Sequence, residues 1–162
     1  MTAPSVEADL LTTSASQLQN LLEINDDTYI KSYVLHIFTR QAEKMRTNNE
    51  LDKALRLYTK ILEQAEGNTE EIKCAVLLGR GQLRHALFIK ELSGTALAAS
   101  SSYFKSSKKN FYYSAALEDY QQALALGANK TLVTELIYKL NDDNARVFIN
   151  DTKFSVFRGE YK

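Results

Sequence analysis

Apolar side chains recur at helical spacing along most of the chain, and short polar or glycine-containing breaks separate the runs. The first run follows Asp26 and Asp27, and the second ends at Gly67 and Asn68. Aspartate is preferred just before a helix and glycine just after one. The pattern therefore predicts five helices, which cover about 27–48, 50–66, 69–92, 111–126 and 130–140.

The N-terminal segment departs from this periodicity. Residues 1–25 contain acidic residues and no basic one, and we interpret them as an acidic arm. Leu18, Leu21, Leu22 and Ile24 have the spacing of a short amphipathic turn. The pattern leaves open whether this turn packs on the domain or belongs to a free arm.

Two further segments also interrupt the helical pattern. Residues 93–110 hold six serines, three lysines and no acidic residue, and we predict a loop there. The polar run 141–144 is predicted to end the fifth helix. Residues 142–162 then alternate in a way that suits strand, turn and strand, but a lone hairpin is marginal in water. We favour an extended or partly helical tail that lies on the domain.

Two of the predicted helix pairs carry small and aromatic residues at corresponding positions. Small residues let the helices of a hairpin approach closely, and large neighbours fill the groove to the next hairpin. The shared positions are Ala42, Leu51, Ala54, Tyr58 and Ile61 in the first pair, and Gly81, Tyr113, Ala116, Tyr120 and Ala123 in the second.

This pattern resembles the tetratricopeptide repeat family over residues 29–140. It departs from the family because the usual tryptophan and proline positions are not kept, only two repeats are legible, and residues 93–110 are inserted within the second repeat. The resemblance implies an all-α fold of antiparallel helix hairpins, a short α-solenoid over 26–141 with a C-terminal capping helix. It also implies a protein–protein interaction module, which acts as an adaptor or as a scaffold subunit of a larger complex.

The same resemblance places a set of side chains on a concave groove that would hold a peptide or helix of another protein. Many relatives grip a carboxylate there with lysine, asparagine and arginine. Thr39 and Glu43 occupy the corresponding lysine and asparagine positions, so this clamp is absent. An ordinary solvated face is the alternative interpretation. The groove residues are His36, Thr39, Glu43, Arg46, Thr47, Leu78, Gln82 and His85.

Composition narrows the remaining function classes. The formal net charge is zero and charged residues make up 25% of the chain, which is unlike a strongly basic nucleic-acid binder. No nucleotide-binding or hydrolase motif occurs, and no His or Cys spacing typical of a metal site. We expect no enzymatic activity, no cofactor and no membrane insertion, and a cytoplasmic or nuclear location. Self-association through apolar end faces remains a further option.

The segment 103–113 supports one alternative function. It interleaves aromatic residues with Lys105, Lys108 and Lys109, a combination that can stack on single-stranded RNA and neutralise its backbone. An RNA-associated factor is therefore the alternative hypothesis. We prefer the interpretation that these lysines are solvated and that the aromatic residues belong to the next helix, so nucleic acid is the less favoured partner.

Overall fold

All regular secondary structure in the described part of the chain is helical. The computed structural model describes the backbone of residues 17–24, 27–97 and 102–157, and the side chains of 17–24, 27–92 and 111–146. No helix in these ranges is long and apolar enough to cross a membrane. The helices are α1 (17–24), α2 (Thr28–Thr47), α3 (Leu51–Glu63), α4 (Glu70–Leu97), α5 (Ser102–Ala125) and α6 (Lys130–Phe157).

Helix α1 packs on the domain. Leu18 is 1% exposed and Leu22 is buried beside it, and both belong to the core cluster of α2 and α3. The sequence left open whether this segment packs on the domain or belongs to a free arm, and the structure shows that it packs. Residues 1–16 of the predicted arm lie outside the described residues.

The first hairpin begins at Asp27 and turns at Asn49, where the polar breaks predict, whereas α3 ends at Glu63, before the predicted end at Gly67. The side chain of Asp27 accepts a hydrogen bond from the backbone N–H of Tyr29, at 2.9 Å, and so caps α2. Asn49 adopts a positive φ of 63°, a conformation that asparagine tolerates better than most residues. The turn at Asn49 reverses the chain, and α3 returns along α2.

The connection from α3 to α4 is held by side chains. The amide nitrogen of Asn68 donates to the backbone carbonyls of Ile61 and Gln64, both at 3.0 Å, and so satisfies the end of α3. The hydroxyl of Thr69 accepts from the N–H of Ile72 and caps α4. Asn68, a predicted helix boundary, thus joins the two hairpins.

Helix α4 is the central element of the fold, because it contributes to both core clusters. One cluster joins α1, α2 and α3 to α4 through residues such as Val76 and Leu83. The other joins α5 and α6 to α4 through Phe88, Val133 and Leu140. The order of packing follows the order of the helices along the chain.

The predicted loop at 93–110 is wrong. Helix α4 continues to Leu97 and α5 already begins at Ser102, so only a short connection separates two long antiparallel helices. Serine in a helix interior costs only a few tenths of a kcal/mol against alanine. The serines of this segment are therefore a weak signal for a loop, and the local composition overstates it.

The predicted end of the last helix at 141–144 is also wrong, because α6 runs on to Phe157. The polar residues in this run do not form a turn, and three of them make side-chain contacts instead. Asn141 accepts a hydrogen bond from Tyr113, Asp143 pairs with His85, and Asp142 pairs with Arg146 one turn later. Their hydrogen bonds to α4 and α5 let the helix continue past Leu140.

Candidate functional site

Two tyrosines pack against two glycines on α4. A Cβ atom at Gly79 would lie 2.5 Å from the hydroxyl of Tyr58, and one at Gly81 would lie 2.5 Å from Cε1 of Tyr120. Only glycine admits both rings, so each glycine marks a close approach between helices. The predicted pairing of Gly81 with Tyr120 is confirmed, and Tyr58 of α3 makes the equivalent contact from the other side of α4.

A group of buried polar atoms lies beside these tyrosines. The hydroxyls of Tyr58 and Tyr120 and Nε of Arg46 are buried, and none makes a hydrogen bond of good geometry among the described residues, although Arg46 lies within reach of the Tyr58 hydroxyl. Burial raises the pKa of Tyr58, while the nearby Arg46 lowers it and Glu43 raises it. Burial likewise raises the pKa of Tyr120, against the opposing charge of Arg46. Arg46 therefore lies near both phenols, within a group rich in hydrogen-bond donors.

An ion-pair cluster joins α4 to α5. The carboxylate of Asp119, which is 1% exposed, accepts two hydrogen bonds from Arg80 at 3.0 and 2.8 Å and one from Arg84 at 2.8 Å. A buried carboxylate needs such partners because its desolvation is costly. The cluster holds two guanidinium groups and one carboxylate, so it carries one excess positive charge between α4 and α5.

A second polar contact joins α4 and α5 to α6. Nε2 of His85 lies 2.7 Å from Oδ2 of Asp143, and the hydroxyl of Tyr113 donates to Oδ1 of Asn141 at 2.6 Å. Phe88 packs beside both His85 and Tyr113. His85 is therefore engaged in a contact within the domain.

The structure separates the predicted groove residues into three groups. His36 and Thr47 are exposed on α2, whereas Glu43, Arg46, Leu78 and Gln82 are half-buried. Thr39 is buried, and its hydroxyl donates to the carbonyl of Leu35 one turn earlier, at 2.7 Å. Thr39 was predicted to line the concave groove, and its side chain is buried instead, which a threonine tolerates when its hydroxyl is bonded to its own helix.

The sequence-based interpretation missed the role of Asp119. Its spacing from Ala116 and Ala123 places it on the buried face of α5, which was the available signal, since an acidic residue there requires a cationic partner. Arg80 and Arg84, one turn apart on α4, match that requirement. Nothing in the local sequence connects the two helices, so the partnership emerges only from the fold.

The three lysines of the alternative function fall within α5. Lys105, Lys108 and Lys109 belong to the helix Ser102–Ala125 rather than to a loop, and their side chains lie outside the described residues. Within the described residues, no group of three or more His, Cys, Asp and Glu side chains is placed to hold a metal ion. Comparison of the chain with known protein families, curated proteins and solved structures finds no match.

Proposed function

We propose that the chain is a protein–protein interaction module of tetratricopeptide type, an adaptor or scaffold subunit of a larger complex in the cytoplasm or nucleus. The close packing of tyrosine on glycine on both sides of α4 supports the repeat assignment. It is the kind of small-to-large contact by which consecutive hairpins stack.

The single observation that carries the proposal is the surplus of hydrogen-bond donors around Arg46. This half-buried side chain lies on the face that α2 shares with α4, beside two phenol hydroxyls that make no hydrogen bond of good geometry among the described residues. A binding partner that brings an acceptor oxygen to the exposed part of the Arg46 side chain would pair with it. The two tyrosine side chains are fully buried and stay out of the partner's reach.

The nearby Glu43 decides which acceptor fits best. Its negative charge acts on the same tyrosine hydroxyl as Arg46, so a second carboxylate would be repelled. Backbone carbonyls of an extended peptide or of a helix end carry no net charge and suit this mixed site better. The exposed His36 and the half-buried Gln82 would border such a peptide.

Selection of a displayed random-peptide library against the folded chain tests the proposal. We expect enriched peptides, and we expect Arg46→Gln to weaken their binding about tenfold, the loss of one charge-assisted hydrogen bond. Arg146→Gln, a change of the same chemistry on α6, should leave binding unchanged. Failure to enrich any peptide, or equal binding to both variants, would count against the proposal.

A further inference from the structure

The solvent-facing side of α2 carries an apolar stripe. Tyr33 is 64% exposed, and Tyr29, Ile30 and Ile37 are exposed on the same side of the helix. Ile30, Tyr33 and Ile37 follow the alternating three- and four-residue spacing by which one helix seats against another. The buried face of α2 points the other way, into the first core cluster.

The charges beside this stripe differ between the two ends of α2. Asp27 caps the N-terminal end, and the exposed Arg40 and Lys44 continue the same spacing toward the C-terminal end. The surface is thus acidic at one end, apolar in the middle and basic at the other end.

We propose that this stripe binds a second copy of the chain, with the two α2 helices antiparallel about a twofold axis near Tyr33. In that arrangement Ile30 of one copy faces Ile37 of the other. The same register brings Arg40 toward the second copy's Asp27. The antiparallel arrangement also places the positive N-terminal end of each α2 beside the negative C-terminal end of the other.

The charge pattern favours a second copy over a different occupant, because the surface is complementary to itself when inverted. A parallel arrangement would place Arg40 against Arg40 and Lys44 against Lys44, which repel. A twofold interface requires this kind of self-complementarity. Tyrosine, moreover, is enriched at interfaces. One helix face is a small interface, so the dimer should be weak, with a dissociation constant that is roughly micromolar or higher.

This surface uses other residues of α2 than the proposed peptide groove does. Arg46 lies near the buried Tyr58, whereas Tyr33 faces solvent, and His36 at the border of the groove lies one turn from Tyr33. Tyr33→Glu leaves Arg46 in place and Arg46→Gln leaves Tyr33 in place, so separate variants test the two proposals.

Sedimentation equilibrium of the full chain tests the inference. We expect a concentration-dependent monomer–dimer equilibrium, and Tyr33→Glu should weaken it by at least about tenfold, because two carboxylates would meet at the axis. Tyr138→Glu changes a tyrosine of similar exposure on α6 and should leave the equilibrium unchanged. Circular dichroism of both variants checks that they remain folded. A monomer at every concentration, or equal effects of the two variants, overturns the proposal.

Cysteine cross-linking tests the direction of pairing. In a Cys74→Ser background, Ile30→Cys mixed with Ile37→Cys should form disulfide-linked heterodimers in preference to either homodimer. Arg40→Glu should reduce this cross-linking, because it would face the second copy's Asp27, whereas Arg56→Glu on α3 should not. Cross-linking chiefly within Ile30→Cys alone would indicate a parallel pair and overturn the proposed geometry.

Discussion

The phenol ring of Tyr120 lies directly against Gly81, so closely that a methyl group at residue 81 would come within 2.5 Å of Cε1. Tyr120 is fully buried in the second core cluster. The separation between α4 and α5 therefore depends on the missing side chain at position 81.

Replacing Gly81 with alanine should destabilise the domain. Overpacking of a tight contact costs about 1–3 kcal/mol, and the better helix propensity of alanine returns about 1 kcal/mol of that. We expect a net loss of up to roughly 2 kcal/mol in urea unfolding. In a Tyr120→Leu background the same substitution should become neutral or stabilising, since the clashing ring is gone. An equal loss in both backgrounds would mean that the contact is not the cause.

Replacing Asp119 with asparagine should be more damaging, because it leaves Arg80 and Arg84 without their shared counterion. Breaking a buried ion pair from one side typically costs 3–5 kcal/mol. The two arginine side chains retain 15% and 19% exposure, so we expect a loss near the lower end, about 3 kcal/mol. Urea unfolding measures it.

The exposed pair of Asp142 and Arg146 provides the control for this cluster. Asp142→Asn should change stability by less than about 1 kcal/mol, as usual for surface ion pairs.

The combined variant Asp119→Leu, Arg80→Met and Arg84→Leu should recover most of the loss from Asp119→Asn, because it removes all three charges of the Asp119 cluster. If the triple variant were worse than the single one, the burial argument would fail.

The buried tyrosines should make the domain sensitive to alkali. Burial raises the pKa of Tyr58 and of Tyr120 above the ordinary value of 10.0, so the folded chain keeps these protons longer than the unfolded chain. Stability is then fully present below pH 10 and falls as the pH rises above it. Each tyrosine contributes a slope of at most about 1.4 kcal/mol per pH unit.

Urea unfolding between about pH 8 and about pH 11.5 measures this slope. Tyr58→Phe and Tyr120→Phe should each flatten it. At neutral pH Tyr120→Phe should cost little, since its hydroxyl has no partner among the described residues, and Tyr58→Phe should cost only its contact with Arg46. Tyr138→Phe removes an exposed hydroxyl and should leave the slope as it is. A slope that persists in the double variant of Tyr58 and Tyr120 would assign the alkaline loss to other groups.

Sequence reasoning was most successful where local chemistry decides the structure. Asp27 and Asn49 mark helix ends because capping and left-handed turns depend on one residue and its neighbours. Gly81 and Tyr120 were paired through a spacing that two hairpins share.

Sequence reasoning failed where a polar residue is held in place by a contact that is distant in sequence. The run 141–144 is typical of a helix end in isolation, yet contacts with Tyr113 and His85 keep Asn141 and Asp143 within α6. These deciding contacts reach across the fold and are not visible in the local pattern. Thr39 is buried for a different, local reason, because its hydroxyl is satisfied by the carbonyl of Leu35 in its own helix.

The anchoring of α6 leads to a final prediction about local stability. Leu140 is the last buried apolar residue of α6 among the side chains that the structure describes, and just beyond it the described contacts to the domain are those of Asn141 and Asp143. The double variant Asn141→Ala and Asp143→Ala should therefore loosen the helix from about residue 141 onward. Its amide hydrogens should exchange faster there, while those of 133–140 stay protected by the core.

Glu135→Ala serves as the matched control, because it breaks only the exposed pair with Lys139 and should leave exchange beyond residue 141 unchanged. Mass spectrometry of peptic fragments resolves the two parts of the helix. Faster exchange along all of α6 in the double variant would mean that these hydrogen bonds support the whole helix. Unchanged exchange would mean that residues beyond 146 hold its end, and the anchoring role assigned to Tyr113 and His85 would then be wrong.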